Sequence, residues 1–199
     1  MITKNISALI LTALIAVSVP NTTSAYFTQA QTQTKLTPIT ALYTITYSFG
    51  LANYDVYLPL TAERNLMHDG SESKLGFTIL EDSETVSDEG DTASFIYSKA
   101  EIKDSMYFVP KGSKASFTLV TLLRTQADTE KEDYSLLVEN LPFWVDVGEE
   151  TLQVRDLNPS ELQYYATGEI RLNDNAPVDI TVTDVTTNTP GLIITPNGK

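Results

Sequence analysis

Few residues in this sequence have the types and spacing that catalysis requires. The single histidine, His68, lies in the polar stretch "NLMHDGSES". The sequence has no G-x-S-x-G turn, in which α/β-hydrolases place their nucleophile, and no H-E-x-x-H motif, through which many zinc proteases bind the metal. Paired carboxylates, which glycosidases use, are abundant in any chain with 26 acidic residues, so they indicate no particular reaction. We predict that His68 is a solvated loop residue and that the protein is not an enzyme.

Acidic residues are concentrated in one predicted loop, residues 81–91, with the sequence "EDSETVSDEGD". Calcium prefers clustered carboxylate and carbonyl oxygens, and a turn at Gly90 would let this loop wrap around an ion. The spacing does not match the alternating ligands of a D-x-D-x-D-G loop. A solvated, self-repelling loop is therefore our first prediction and a calcium site the alternative, with no other cofactor expected.

Three aromatic residues, Tyr57, Trp144 and Tyr165, are candidates for contacts at the outer surface. In an extended chain Tyr57 points away from its apolar neighbours, because successive side chains lie on opposite faces. Trp144 and Tyr165 each directly follow another aromatic residue, so one member of each pair faces outward. Exposed rings of this kind stack on sugars, and glycan binding is the alternative function that we derive from them. The competing interpretation of Trp144 is packing in the core.

Alternation of apolar and polar residues with a period of two runs through most of the chain. Residues 41–60, "ALYTITYSFGLANYDVYLPL", contain two such runs, which we interpret as a tyrosine-rich hairpin that packs on the core. "ASFTLVTLLR" is apolar on both faces and predicts a central strand that is buried on both sides. One stretch, "LNPSELQYY", has Asn158 as a helix N-cap and Pro159 at the first helical position. The pattern predicts an all-β, antiparallel β-sandwich of jelly-roll or immunoglobulin-like type, with about eight strands and one short helical turn.

The chain has 199 residues, no cysteine and a formal net charge of −13. Residues 1–25 have a lysine followed by an apolar stretch and a small-x-small site, which predicts a secretory signal peptide; a transmembrane anchor is the alternative. Residues 26–40 form a Gln- and Thr-rich leader, and residues 41–199 are predicted to be one domain. We expect a secreted or cell-surface protein of bacterial type, with no membrane span after cleavage. The negative charge disfavours nucleic acid as a partner.

The leader has the composition of a strand that pairs readily with another chain. It is nearly uncharged and free of glycine, and such a segment can add to an open sheet edge through main-chain hydrogen bonds. The alternatives are a strand that pairs within its own domain and a disordered tail. The residues that we assign to the possible assembly strand are Tyr26, Phe27, Thr28, Gln29, Gln31 and Gln33.

Residues 25–34, "AYFTQAQTQT", come directly after the predicted cleavage site and precede a β-rich, acidic region without cysteine. In these features the chain resembles the TasA/camelysin group of secreted fibre-forming proteins. The resemblance implies a jelly-roll fold and fibres in which the N-terminal strand of one subunit complements its neighbour. No residue here allows a peptidase activity to be carried over. Two later segments, "YFVPKGSKASFTL" and "LNPSELQYYATGEI", are more similar to immunoglobulin-like domains of bacterial surface proteins.

Taken together, these features predict a secreted, non-catalytic structural or adhesion protein of a bacterial cell surface or extracellular matrix. We expect it to associate with itself or with other surface proteins, through β-strand addition by residues 26–40. A carbohydrate- or cell-wall-binding module is the alternative.

Overall fold

A computed structural model describes residues 25–65, 73–82, 85–127, 130–148, 152–157, 166–173 and 180–183. These residues contain no α-helix, and so no helix among them is long and apolar enough to cross a membrane. Their strands, in chain order, are β1 (Ala25–Thr37), β2 (Thr40–Leu51), β3 (Asp55–Leu58), β4 (Ala62–Arg64), β5 (Leu75–Glu81), β6 (Thr85–Val86), β7 (Asp91–Ser98), β8 (Glu101–Lys103), β9 (Met106–Val109), β10 (Ala115–Arg124), β11 (Asp133–Asp146), β12 (Gln153–Leu157), β13 (Ile170–Arg171) and β14 (Ile180–Thr183).

The first sheet has five strands in the order β14-β1-β2-β10-β7, and every pair in it is antiparallel. β10 lies between β2 and β7, the central position that its two apolar faces predict, but only one of these faces is buried. Val120 and Leu122 on the other face are half-buried. Strict alternation in β2 decides which of its faces is buried. The inward side chains of β2, all at most 1% exposed, are Ala41, Tyr43, Ile45, Tyr47 and Phe49.

The second sheet has nine strands, with the main order β4-β5-β11-β3-β9-β8. The long strand β11 organises it. The first half of β11 pairs with β5 and β13, and after a register shift between Val138 and Asn140 its second half pairs with β3 and β12. The short strand β6 pairs with β5, and only the pair β4-β5 is parallel among the described strands.

The two sheets pack against each other through one apolar core. The ring of Phe49 in β2 lies 5.0 Å from the ring of Phe143 in β11. The ring of Phe117 in β10 lies 5.5 Å from that of Tyr107 in β9, in an edge-on arrangement. Tilted and edge-on contacts are those that aromatic quadrupoles favour. Each sheet thus contributes aromatic residues to the same interior.

The prediction of an all-β fold built from antiparallel sheets is confirmed. The described residues form fourteen strands, several of only two to four residues, and such short strands leave too little alternation to be recognised in a sequence. The helical turn predicted at Asn158 and Pro159 lies in a stretch, residues 158–165, outside the described residues.

The prediction that residues 41–60 form a hairpin is wrong. β2 belongs to the five-stranded sheet and β3 to the nine-stranded sheet, so the chain crosses between the sheets at residues 52–54. Alternation shows only that each of the two runs has one apolar face. It does not show which sheet buries that face, so it could not predict that the two strands belong to different sheets. At the end of β2, Gly50 is required by a close approach, because a Cβ atom there would lie 2.0 Å from the main-chain oxygen of Ser113.

Candidate functional site

The predicted assembly segment lies in β1, which pairs antiparallel with β2 along almost its whole length. On the other side of β1, the stretch from Gln31 to Thr34 pairs with β14. No other described strand pairs with residues 25–30 on that side. The four assembly residues Tyr26, Phe27, Thr28 and Gln29 belong to the part of β1 whose side chains are not described.

The inward face of β1 is polar from Gln31 to Lys35. Gln31, Gln33 and Lys35 are 6%, 3% and 5% exposed. They stand beside the apolar inward residues of β2, with which they share a face. Burial of apolar surface stabilises a core strand by about 25 cal/mol per Å², and these side chains contribute little of it. The stretch of β1 from Gln31 to Lys35 is therefore held mainly by main-chain hydrogen bonds.

Gln33 shows the cost of this arrangement. Its Oε1 atom is buried and has no hydrogen-bond partner among the described residues. Its amide packs on Gly168, where an added Cβ atom would lie 2.2 Å from Nε2. A buried polar atom without a partner costs about 1–3 kcal/mol. Burial of Gln33 in β1 thus lowers the stability of the fold, and an apolar residue at this position would avoid that cost.

Two of the three predicted surface aromatics meet across the nine-stranded sheet. Trp144 in β11 lies directly opposite Tyr57 in β3, and Tyr57 lies opposite Phe108 in β9. Trp144 and Tyr57 are half-buried and face away from the core. The rings of Tyr57 and Phe108 are 5.2 Å apart, and the ammonium group of Lys103 lies 3.5 Å from the centre of the Phe108 ring. We call Trp144, Tyr57 and Phe108 the aromatic row.

The surroundings of the aromatic row are acidic at Tyr57. Burial raises the pKa of the Tyr57 hydroxyl, and the negative charges of Asp146, Asp104 and Asp55 raise it further. Asp55 and Asp146 are opposite each other in the register of β3 and β11. Asp55 accepts a hydrogen bond of 2.7 Å from the main-chain N–H of Lys111. The row therefore offers rings next to oriented carboxylate acceptors.

A concave surface lies beside the row, where the chain twice passes between the sheets, from β7 to β8 and from β9 to β10. It is a groove of about 620 Å³, which we call the corner groove. Pockets that bind small ligands have volumes of about 300–1,000 Å³. Its lining includes Tyr97, Ser98, Lys99, Glu101, Phe108, Lys114, Ser116 and Thr118.

Two exposed aromatic residues that the sequence did not single out as surface contacts adjoin this groove. Phe95 and Tyr97 in β7 are 56% and 55% exposed, whereas Ile96 between them is buried. The alternation predicts that Phe95 and Tyr97 share a face, with Ser94, Ile96 and Ser98 on the other. The face with the serines is the inward one, and Ile96 lies opposite the buried Leu119 of β10.

The acidic loop is held by a guanidinium group. Arg64 donates hydrogen bonds to the main-chain oxygens of Ser87, Glu89 and Gly90, at 2.7, 3.0 and 2.8 Å. Burial lowers the pKa of Arg64, and Asp88 and Asp91 oppose that effect. Three carbonyl oxygens of the predicted calcium loop thus already face a cation. The described residues contain no group of three or more His, Cys, Asp or Glu side chains placed to hold a metal ion.

The hydroxyl group of Tyr134 lies next to this loop. It donates a hydrogen bond of 2.5 Å to Glu132, and the carboxylate of Glu89 is 3.2 Å away. Burial and these acidic neighbours raise the pKa of Tyr134. Burial also raises the pKa of Glu81, at the end of β5. Part of the acidic loop is therefore packed against the protein rather than wholly solvated.

The remaining candidates, Tyr165 and His68, lie outside the described residues. No protein-family model matches this chain, and no curated protein and no solved structure matches it either. The resemblance of the N-terminal segment to the TasA/camelysin group, and of later segments to immunoglobulin-like surface domains, therefore stays a prediction.

Proposed function

We propose that this is a secreted structural protein of a bacterial cell surface or matrix, with a sandwich-type fold, whose subunits join by exchange of β1. The observation that supports this proposal is the polar inward face of β1 at Gln31, Gln33 and Lys35. A strand fixed by apolar burial is costly to remove from its own sheet. Main-chain hydrogen bonds, in contrast, are equally available from β2 of a second chain, because their pattern does not depend on side chains.

The absence of cysteine from the sequence allows this proposal to be tested with engineered disulfides. The hydroxyl groups of Thr32 in β1 and Thr44 in β2 are hydrogen-bonded, so a T32C/T44C pair would tie β1 to its own β2. The oxidised variant should remain monomeric in conditions in which the reduced variant assembles. Light scattering and electron microscopy measure the difference.

A second pair of cysteines, between strands that are not exchanged, is the matched control for T32C/T44C. The hydroxyl groups of Thr46 in β2 and Thr118 in β10 are 2.9 Å apart, and neither strand is exchanged in the proposed assembly. The T46C/T118C disulfide should leave assembly unchanged. Mixing the single variants T32C and T44C should give an intermolecular disulfide. Equal assembly of the oxidised and reduced forms of T32C/T44C would show that β1 is not exchanged.

A second candidate function is recognition of carbohydrate, and the aromatic row favours it. Trp144 and Tyr57 are register partners on the outward face, where neighbouring rings form a surface that a sugar ring can cover. The carboxylates of Asp55 and Asp146 lie one step along the same face and can accept hydrogen bonds from sugar hydroxyls. Titration of the purified protein with a panel of glycans, followed by Trp144 fluorescence, tests this function. An unchanged spectrum with every glycan would exclude the row as a binding surface.

A further inference from the structure

The corner groove differs in charge from the rest of the chain. The stretch from Lys99 to Lys114 contains four lysines and two acidic residues, whereas the whole chain has 13 basic and 26 acidic residues. Lys99 and Lys114 line the groove. Glu101, also on its wall, has its carboxylate 3.5 Å from the ammonium group of Lys103. The groove is thus a locally cationic surface on a strongly acidic protein.

The walls of the groove are fixed by hydrogen bonds within the protein. The hydroxyl group of Ser98 donates to the main-chain oxygen of Ser116 at 2.7 Å and accepts from the N–H of Ala100 at 3.1 Å. The hydroxyl group of Tyr107 donates to the main-chain oxygen of Ile96 at 3.1 Å. These bonds tie β7 to β10 and to β9. A ligand therefore meets a surface that needs little ordering, which favours binding.

Aromatic rings lie on the groove as well as cations. Tyr97 projects from the β7 wall and is more than half exposed, with Phe95 two residues before it on the same face. Phe108 lines the opposite wall and continues into the aromatic row. The hydroxyl-bearing residues Ser116 and Thr118 complete the lining. Rings, hydroxyl groups and ammonium groups together match a ligand that has apolar ring faces, many hydroxyl groups and negative charge.

From this combination we infer that the corner groove binds an acidic polysaccharide, with sugar rings stacked on Tyr97 and sugar carboxylates beside Lys99 and Lys114. This inference rests on the second proposed function and names its ligand class and its site. The acidic surroundings of Tyr57 repel the same carboxylates, so the charged sugars occupy the groove and not the surface at Tyr57 and Trp144. Charge complementarity selects the anionic ligand, and the rings select a sugar over an acidic peptide.

The test is calorimetric titration of the protein with oligogalacturonides at low salt. Two matched probes accompany them: the same oligosaccharides with their carboxyl groups methyl-esterified, and poly-L-glutamate. The oligogalacturonides should bind, the esters should bind at least about fivefold more weakly, and added salt should reduce the difference. Equal binding of ester and acid would overturn the charge assignment. Equal binding of poly-L-glutamate would overturn the choice of a sugar.

Variants locate the site. The double substitution K99Q/K114Q should weaken oligogalacturonide binding about fivefold or more, and Y97A about tenfold. The controls K131Q and I102A change an exposed lysine and an exposed apolar residue outside the groove lining, and should leave binding unchanged. Loss of binding in W144A or Y57A with native binding in the groove variants would overturn this inference while leaving carbohydrate recognition by the aromatic row intact. Absence of binding to every probe would overturn this inference, whereas the glycan panel followed by Trp144 fluorescence decides the second proposed function separately.

Discussion

The hydroxyl group of Tyr43 donates a hydrogen bond of 2.9 Å to the main-chain oxygen of Tyr134, across the interior between the two sheets. Tyr43 belongs to β2 and Tyr134 to β11, and both side chains are fully buried. The bond fixes the distance between the central region of one sheet and the long organising strand of the other. It gives a buried tyrosine a role in stability that phenylalanine at the same position does not have.

Replacement of Tyr43 by phenylalanine should lower the free energy of unfolding by about 1 kcal/mol, because a buried hydrogen bond is lost while ring packing is kept. Urea denaturation should show a lower midpoint at an unchanged slope. The control is Y97F, whose hydroxyl belongs to an exposed side chain and whose effect should stay within about 0.5 kcal/mol. Equal midpoints for the two variants would mean that the bond contributes nothing.

The buried tyrosines should also make the protein sensitive to alkali. Burial raises the pKa of Tyr43, Tyr47 and Tyr134, and for Tyr134 the neighbouring carboxylates add to the effect. A raised folded-state pKa means that the stabilisation is present below the unfolded pKa of about 10 and is lost as the pH rises above it. Stability should therefore fall steeply above about pH 10.

Absorbance at the tyrosinate band, followed together with circular dichroism, checks this expectation. The three buried tyrosines should ionise only together with unfolding. A smooth titration of all tyrosines in a protein that keeps its circular dichroism would contradict the assignment.

Alternation of polar and apolar residues predicts the buried face of β2 correctly but not that of β7. In β2, Thr44 and Thr46 alternate with Tyr43 and Ile45, and the predicted inward face is the one observed. In β7, Ser94 and Ser98 alternate with Phe95 and Tyr97, yet the face that carries the serines and Ile96 is the inward one. β7 lies at the edge of its sheet, and polar residues on one face did not fix its orientation.

The candidate sites depended on non-local pairing, which alternation does not contain. The adjacency of Trp144 and Tyr57 follows from the register between β11 and β3, strands that are far apart in the chain. The corner groove forms only because the chain changes sheets at Lys99–Ala100 and again at residues 110–114. The composition of the leader indicated a strand that pairs readily, with a disordered tail as one alternative, and β1 extends over Ala25–Thr37.

Removal of the guanidinium group of Arg64 should release the acidic loop. R64A should lower the free energy of unfolding by about 2–3 kcal/mol, because three part-buried hydrogen bonds from a charged group to main-chain oxygens are lost. R64K should recover part of the loss, since an ammonium group keeps the charge but not the planar fork. The control is K74A, which breaks a more exposed ion pair of 2.6 Å with Glu63 and should cost about 0–1 kcal/mol.

Hydrogen exchange provides a second readout for the same variants. The amides of residues 85–91 should exchange faster in R64A than in the wild type, while those of β2 keep their protection. Equal exchange of the loop in R64A and wild type would show that the guanidinium group does not hold it.

Gly90 and Gly148 both have a left-handed backbone, but only Gly90 is closely surrounded by other atoms. Alanine substitutions at the two positions therefore distinguish the cost of backbone strain from the cost of a steric clash. Gly90 has φ of 72° and Gly148 has φ of 82°. An added Cβ atom at Gly90 would lie 2.6 Å from the main-chain oxygen of Arg124, whereas at Gly148 it would have no atom within 4 Å. G148A should therefore cost about 1–2 kcal/mol from strain alone, and G90A a further ~1–3 kcal/mol because β10 must shift. Thermal or urea unfolding of the two variants measures the difference, and equal destabilisation would show that the loop at Gly90 moves aside without disturbing β10.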